Sequence, residues 1–328
     1  MENFKVIEFH RTRDFSNKMN VTFEFIRQNF KGLGKSLLFI AGPPVIATGL
    51  MVGTFMTDLQ ALTSSMARFG ASDMMTKSFT TPTFWLQILL MIVLSVVSSV
   101  MALSTINNYI VLYDEKKTNK IEFSDVWERV RSTFWMYCGT VFFFFLLLMA
   151  VYLVIVIFVI VLAKISTALV VLAGFAIFFF FVYALFAVSL TFIIRTYENK
   201  GFFEAIGRSF MLVRGKWWST FGLLFVLIII GTVISYVVSI PYYALTVVNT
   251  LHNTSTESFE GPSSSMNILS VAFFSLSYLV QVLLGALPNL GIAFQYFNLV
   301  ERKEAPGLMK HIDNLGTEGP ASTHEEQY

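Results

Sequence analysis

Six stretches of the chain run almost without a charged residue, near Leu37–Phe55, Phe84–Tyr113, Phe134–Leu162, Ala168–Ile194, Trp217–Val247 and Ile268–Val300. A helix needs roughly 20 apolar residues to cross the hydrocarbon core of a bilayer, so each stretch predicts a transmembrane span. Several exceed that length, which predicts tilt or helix ends that project into water. A second pattern lies between them. Apolar residues fall at Phe23, Ile26 and Phe30, again at Phe123, Val126 and Val130, and again at Phe203, Ile206 and Phe210. The i, i+3, i+7 spacing puts each trio on one helical stripe. The remaining faces carry Arg27, Gln28 and Lys31, then Glu128, Arg129 and Arg131, then Glu204, Arg208 and Ser209.

The ends of the returning spans match one another as well: Tyr113-Asp114-Glu115-Lys116, Tyr197-Glu198-Asn199-Lys200 and Val300-Glu301-Arg302-Lys303. The chain therefore reads as an all-α, six-span membrane protein built from three units, about 14–117, 118–201 and 202–304. Each unit is an amphipathic helix followed by a transmembrane hairpin. Residues 1–304 form one membrane domain, and 305–328 a cytoplasmic tail, disordered after about 316. The tail opens a fourth stripe at Leu308, Ile312 and Leu315, with Pro306 placed to start a helix.

The segment GFFEAIGRSFMLVRGKWWSTF (201–221) shows what such a unit does. Its apolar stripe predicts an in-plane helix at the headgroup boundary, with Arg208 and Arg214 turned to anionic lipid. Trp217 and Trp218 suit the aromatic belt where the chain enters the bilayer. The plainer alternative is a loop helix packed on the span bundle.

Charge placement orients the spans. Twenty of the 23 Lys and Arg residues lie in the N-terminal segment, the 114–132 and 195–216 loops and the tail; only Arg68, Lys77 and Lys164 lie on the other side. The positive-inside rule puts the twenty in the cytoplasm, with both termini. With 55% hydrophobic and 13% charged residues, the chain is far from the roughly 25% charge of soluble domains. No cleavable signal peptide is visible, and the first span is expected to serve as its own signal.

Candidate chemistry is sparse. One cysteine, Cys138, rules out an internal disulfide, and His10, His252, His311 and His324 are scattered without metal-ligand spacing. GLGKS at 32–36 has Asn29 where a phosphate-binding loop needs its first glycine. Asn253-Thr254-Ser255 matches a glycosylation sequon that a bacterial protein would leave silent. No nucleic-acid patch and no nucleophile–base pair stands out, and no cofactor is expected. The polar cluster Asn107, Asn108, Gln295 and Asn298 near the cytoplasmic span ends predicts interhelical hydrogen bonds, with a polar substrate path as the alternative. Pro43-Pro44, Pro241 and Pro288 predict kinks, or broken helices that offer carbonyls to a ligand. The FFFF runs at 142–145 and 178–181 predict lipid-facing surface.

The stretches TFEFIRQNFKGLGKSLLFIAGP (22–43), FFEAIGRSFMLVRGKWWSTFG (202–222) and FNLVERKEAPGL (297–308) resemble a family of uncharacterised six-span membrane proteins of Bacteroidota-type bacteria. That family is distantly similar to the membrane domain attached to some glycerophosphodiester phosphodiesterases. The resemblance implies a six-span module in the bacterial inner membrane and no established activity; the soluble phosphodiesterase domain has no room in this chain. The expected function is a non-enzymatic scaffold or accessory subunit, with membrane lipids and membrane proteins as partners. A transporter or lipid-moving protein is the alternative, and a lipid-modifying enzyme comes last.

Overall fold

A computed structural model describes residues 5–69, 80–255, 264–309 and 312. Leu315, His311 and His324, residues 70–79 and 256–263 and the tail beyond 316 lie outside them. The described residues are all-helical, with no strand. The helices are α1 Phe15–Ile40, α2 Gly42–Phe69, α3 Pro82–Lys116, α4 Phe123–Ala163, α5 Thr167–Ala187, α6 Thr191–Glu198, α7 Phe202–Val213, α8 Trp217–Ser255, α9 Ser264–Leu284 and α10 Ala286–Glu304. Five spans are long and apolar enough to cross a membrane: α3, α4, α5–α6, α8 and α9–α10. A sixth is added if the bent pair α1–α2, which turns by 56° at Ala41, counts as one.

The breaks follow local chemistry. Pro43 and Pro44 sit in the first turn of α2 and Pro288 in the first turn of α10, where a missing N–H removes no intrahelical bond. Pro241 is carried inside the continuous α8. The α5–α6 span breaks at Val188–Leu190 without any proline; Ser209 of α7 reaches back and donates to the Ala187 carbonyl at 2.6 Å, satisfying an acceptor the break frees. Between α7 and α8 the chain turns through Gly215, whose φ of 79° lies in the left-handed region that favours glycine.

The expected division into amphipathic helix and outgoing span takes three forms. It is a bend between α1 and α2 and a turn between α7 and α8, but α4 runs unbroken from Phe123 to Ala163. The helices pack in the order α4, α3, α2, α9, α8, with α5 against α4 and with α10 and α1 against several of them. α2 and α9 approach closely because Gly49 has no side chain; a Cβ there would lie 2.9 Å from the Ser275 Cα.

The main core lies at one end of the bundle, the basal end, where the loops after α3 and α6 and the residues before α1 meet. Residues 5–14, expected as a polar, basic lead-in, fold back into it. Phe9 is buried against Phe25, Tyr113, Phe294 and Phe297, with its ring 5.5 Å from Tyr113 and 4.8 Å from Phe297. The Ile7 N–H donates to the Tyr113 hydroxyl at 3.0 Å. By contrast, none of the most apolar window of α4 is buried, and an apolar groove of about 530 Å³ lined by Val154, Phe158, Ala173 and Phe180 runs between α4 and α5.

Candidate functional site

α1 carries two apolar stripes. The one singled out in the sequence faces outward: Phe23 and Phe30 are exposed, Phe30 by 70%, and Ile26 is half-buried. The other, Lys18, Val21, Thr22, Phe25, Asn29 and Leu33, is the buried face. A lysine thus opens the stripe that packs on the bundle. α7 repeats the arrangement. Phe203 is 71% exposed and Ile206 and Phe210 are half-buried, while Phe202, Ala205, Ser209 and Leu212 pack inward. Trp218 and Arg214 are exposed, and Trp217 donates its indole N–H to the Tyr183 carbonyl.

Two expectations of lipid contact do not hold. Val126 and Val130 are fully buried, because the start of α4 turns this stripe to the core and leaves Trp127 and Trp135 outward, with Phe123 half-buried at the edge. Arg208 is spent within the protein. Its guanidinium is bidentate on Glu304 at 2.5 and 2.9 Å and also grips Glu198 at 2.8 Å. Glu304 first, and Glu198 after it, push its pKa up.

All four residues of the expected polar cluster are buried, but they serve separate junctions. Asn108 donates to Thr133 of α4 at 2.8 Å. Asn298 accepts the Arg13 backbone N–H at 2.7 Å and the Arg302 Nε at 3.3 Å, fastening the N-terminal segment to α10. Asn107 lines a cavity of about 290 Å³ with Ser189 and Asn289, beside the break between α5 and α6. Gln295 joins a site that the sequence reading missed.

That site is built on Lys18. Its side chain is only 2% exposed. The Nζ lies 2.7 Å from the Ser219 Oγ and 2.8 Å from the Gln295 Oε1. The Gln295 Nε2 donates to the Thr220 Oγ1 at 2.9 Å, and the Thr220 hydroxyl donates in turn to the Lys216 carbonyl at 3.2 Å. Because that hydroxyl is committed to a carbonyl, the Gln295 amide must present its N–H to Thr220 and its oxygen to Lys18. Three helices hold the group: α1 supplies Lys18, α8 supplies Ser219 and Thr220, and α10 supplies Gln295.

Among the described residues no carboxylate reaches the amine. Burial first, then Arg302 and Lys216, push the Lys18 pKa down to about 8, with Asp14 opposing. Acidic side chains at this end are engaged elsewhere: Glu198 and Glu304 with Arg208, Asp114 with the Tyr197 hydroxyl, and Glu301 with the Gly307 and Leu308 N–H groups. Lys18 and Ser219 lie 201 residues apart in sequence, so no motif links them. The one legible signal was Lys18 itself, in register with Val21, Phe25 and Asn29.

Among the described residues no group of His, Cys, Asp and Glu could hold a metal. Compared with family models, with curated proteins and with solved structures, the chain finds no match in any of the three.

Proposed function

We propose that this chain is a six-span protein of the bacterial inner membrane, with both termini in the cytoplasm, acting as a scaffold or accessory subunit of a membrane assembly. On this reading the basal end is cytoplasmic, and α1 and α7 lie in the headgroup boundary of the inner leaflet as corresponding parts of repeated units. One observation carries it. The outward stripes of α1 and α7 are bare phenylalanine, Phe30 and Phe203 above all, beside exposed Lys31 and Arg214. A bare apolar stripe flanked by cations suits a charged lipid surface.

A fluorophore attached at Phe203→Cys in a Cys138→Ser background tests this. Quenchers carried near the lipid headgroups should quench it strongly, and aqueous quenchers weakly. The opposite ranking would remove α7 from the membrane.

Transport is the second reading, favoured by the breaks at α5–α6 and α9–α10. The break between α9 and α10 borders a cavity of about 250 Å³ lined by Thr232, Ser235, Ser239 and Gln281. Pro288 has no N–H to offer the Leu284 carbonyl four residues back, so that carbonyl is available to a ligand, as in transporter midplane sites.

A further inference from the structure

We propose that Ser219, Lys18 and Gln295 form a nucleophile, base and orienting group for acyl transfer from an ester held at the membrane interface. Three independent features of the geometry support it. Nucleophile and base are within hydrogen-bond reach at 2.7 Å, and the base is oriented by a third group at 2.8 Å, the arrangement that activates a hydroxyl in unrelated hydrolases. The base is desolvated, since Lys18 is 2% exposed while Ser219 is only partly buried. Ser219 keeps part of its surface exposed where Lys18 keeps almost none. Finally, the groups facing Lys18 from the packed elements are Arg302 of α10, Lys216 before α8 and Asp14 before α1. Two of the three are cationic, which favours the neutral amine that a base requires.

The neutral amine reverses the hydrogen bond. Gln295 Oε1 accepts one amine proton, and Thr220 fixes the amide so that it cannot flip. The lone pair of Lys18 is then free to accept the Ser219 proton. Ser219 Oγ adds to the ester carbonyl carbon and its proton passes to Lys18. The C–O bond to the leaving alcohol breaks, and that oxygen takes the proton from Lys18. Water then adds to the acyl-serine with its proton going to Lys18, the carboxylic acid leaves, and Ser219 regains its proton. The positive potential of Arg302 and Lys216 opposes charging of Lys18 and also suits the oxyanion that forms at each addition.

The substrate class follows from position. Ser219 follows Trp217 and the exposed Trp218 at the start of α8, and one turn on, Gly222 lies against the ring of Phe15. An aromatic pair at this level marks the headgroup boundary, where lipid ester carbonyls lie. This choice of a lipid ester rests on the interfacial placement proposed above; the chemistry of the three residues does not.

The test uses the full chain in detergent with an alkyl fluorophosphonate, followed by peptide mapping of the adduct. Ser219 should be labelled, at a rate that rises with pH about a midpoint near 8. Ser219→Ala should abolish the adduct. Lys18→Met and Lys18→Arg should slow it by at least about 100-fold, the usual contribution of a general base. A folded wild-type protein left unlabelled at Ser219 between about pH 6 and 10 overturns the proposal, whether or not the Lys18 variants fold. So does labelling of a folded Lys18→Met at the wild-type rate. Hydrolysis of a soluble p-nitrophenyl ester but not of vesicle phospholipid would keep the three-residue chemistry and remove the interfacial substrate.

Discussion

The basal end and the α4–α5 hairpin are both rich in phenylalanine, yet one is densely packed and the other bare. At the basal end, rings alternate with groups that need partners. Phe9 rests on Tyr113, whose hydroxyl takes the Ile7 N–H; Phe297 lies beside Asn298, whose oxygen takes the Arg13 N–H. Each buried donor or acceptor left unmade costs about 1–3 kcal/mol, so the polar groups fix one arrangement and the rings fill what remains. Between Thr140 and Ala187 the hairpin buries no polar side chain and has no such demands. Its phenylalanines can be exchanged between lipid and protein at almost no gain, because lipid tails are as apolar as the side chains. Hydrophobicity alone puts a helix in the membrane. Directional groups decide where it packs.

The sharpest way to break this comparison is at its centre. Phe9→Ala empties a site enclosed by four rings and should cost about 3–5 kcal/mol, read as a large drop in the thermal unfolding temperature in detergent. The N-terminal segment should then become accessible to protease. A small effect would mean that residues 5–14 lie on the bundle without holding it.

A smaller loss is expected when a polar fastening is cut and the rings are left in place. Asn298→Ala removes the acceptor for the Arg13 N–H and for Arg302 and should cost roughly 0.5–2 kcal/mol, measured in the same unfolding assay at unchanged expression. If the loss equals that of Phe9→Ala, the polar layer and the aromatic core are one cooperative unit. If it vanishes, water replaces Asn298 and the fastening is dispensable.

The two regions also differ in how far they could be read from sequence. The hairpin was legible because its signal is composition: Phe142, Phe145, Phe178 and Phe179 are exposed as their runs imply. The five spans α3, α4, α5–α6, α8 and α9–α10 were legible for the same reason, but the break at Val188–Leu190 was not, since it carries neither proline nor glycine to announce it. The basal end was not, because its helices are apolar on two faces. On α1 the Phe23–Phe30 stripe and the Lys18–Phe25 stripe satisfy the same periodicity, and periodicity cannot say which one meets protein. On α4 likewise Val126 and Val130 meet the core, while Trp127 and Trp135 are the rings turned outward. Phe9 stands in a run of charges that hides its burial. Arg208 counts as a topology signal until Glu304, 96 residues away, is brought against it. Contacts between distant segments leave no local trace, and the Lys18–Ser219 pair is the extreme case.

The last prediction has the smallest expected effect and bears most directly on the bare region. Phe175 on α5 is 63% exposed. Phe175→Leu exchanges one lipid-facing hydrocarbon for another. If lipid is all that covers the hairpin, stability should move by no more than about 0.5 kcal/mol, as for substitutions away from packed features, and the size of the particle in detergent should not change. A partner chain seated there would behave otherwise. Closely fitted ring contacts carry about 0.5–1.5 kcal/mol beyond their area, and their loss would appear as destabilisation together with dissociation on a sizing column. The scaffold reading needs such a surface somewhere. A measurable loss at Phe175 would place it on the hairpin, whereas no change would leave the outward faces of α1 and α7 to carry assembly as well as lipid contact.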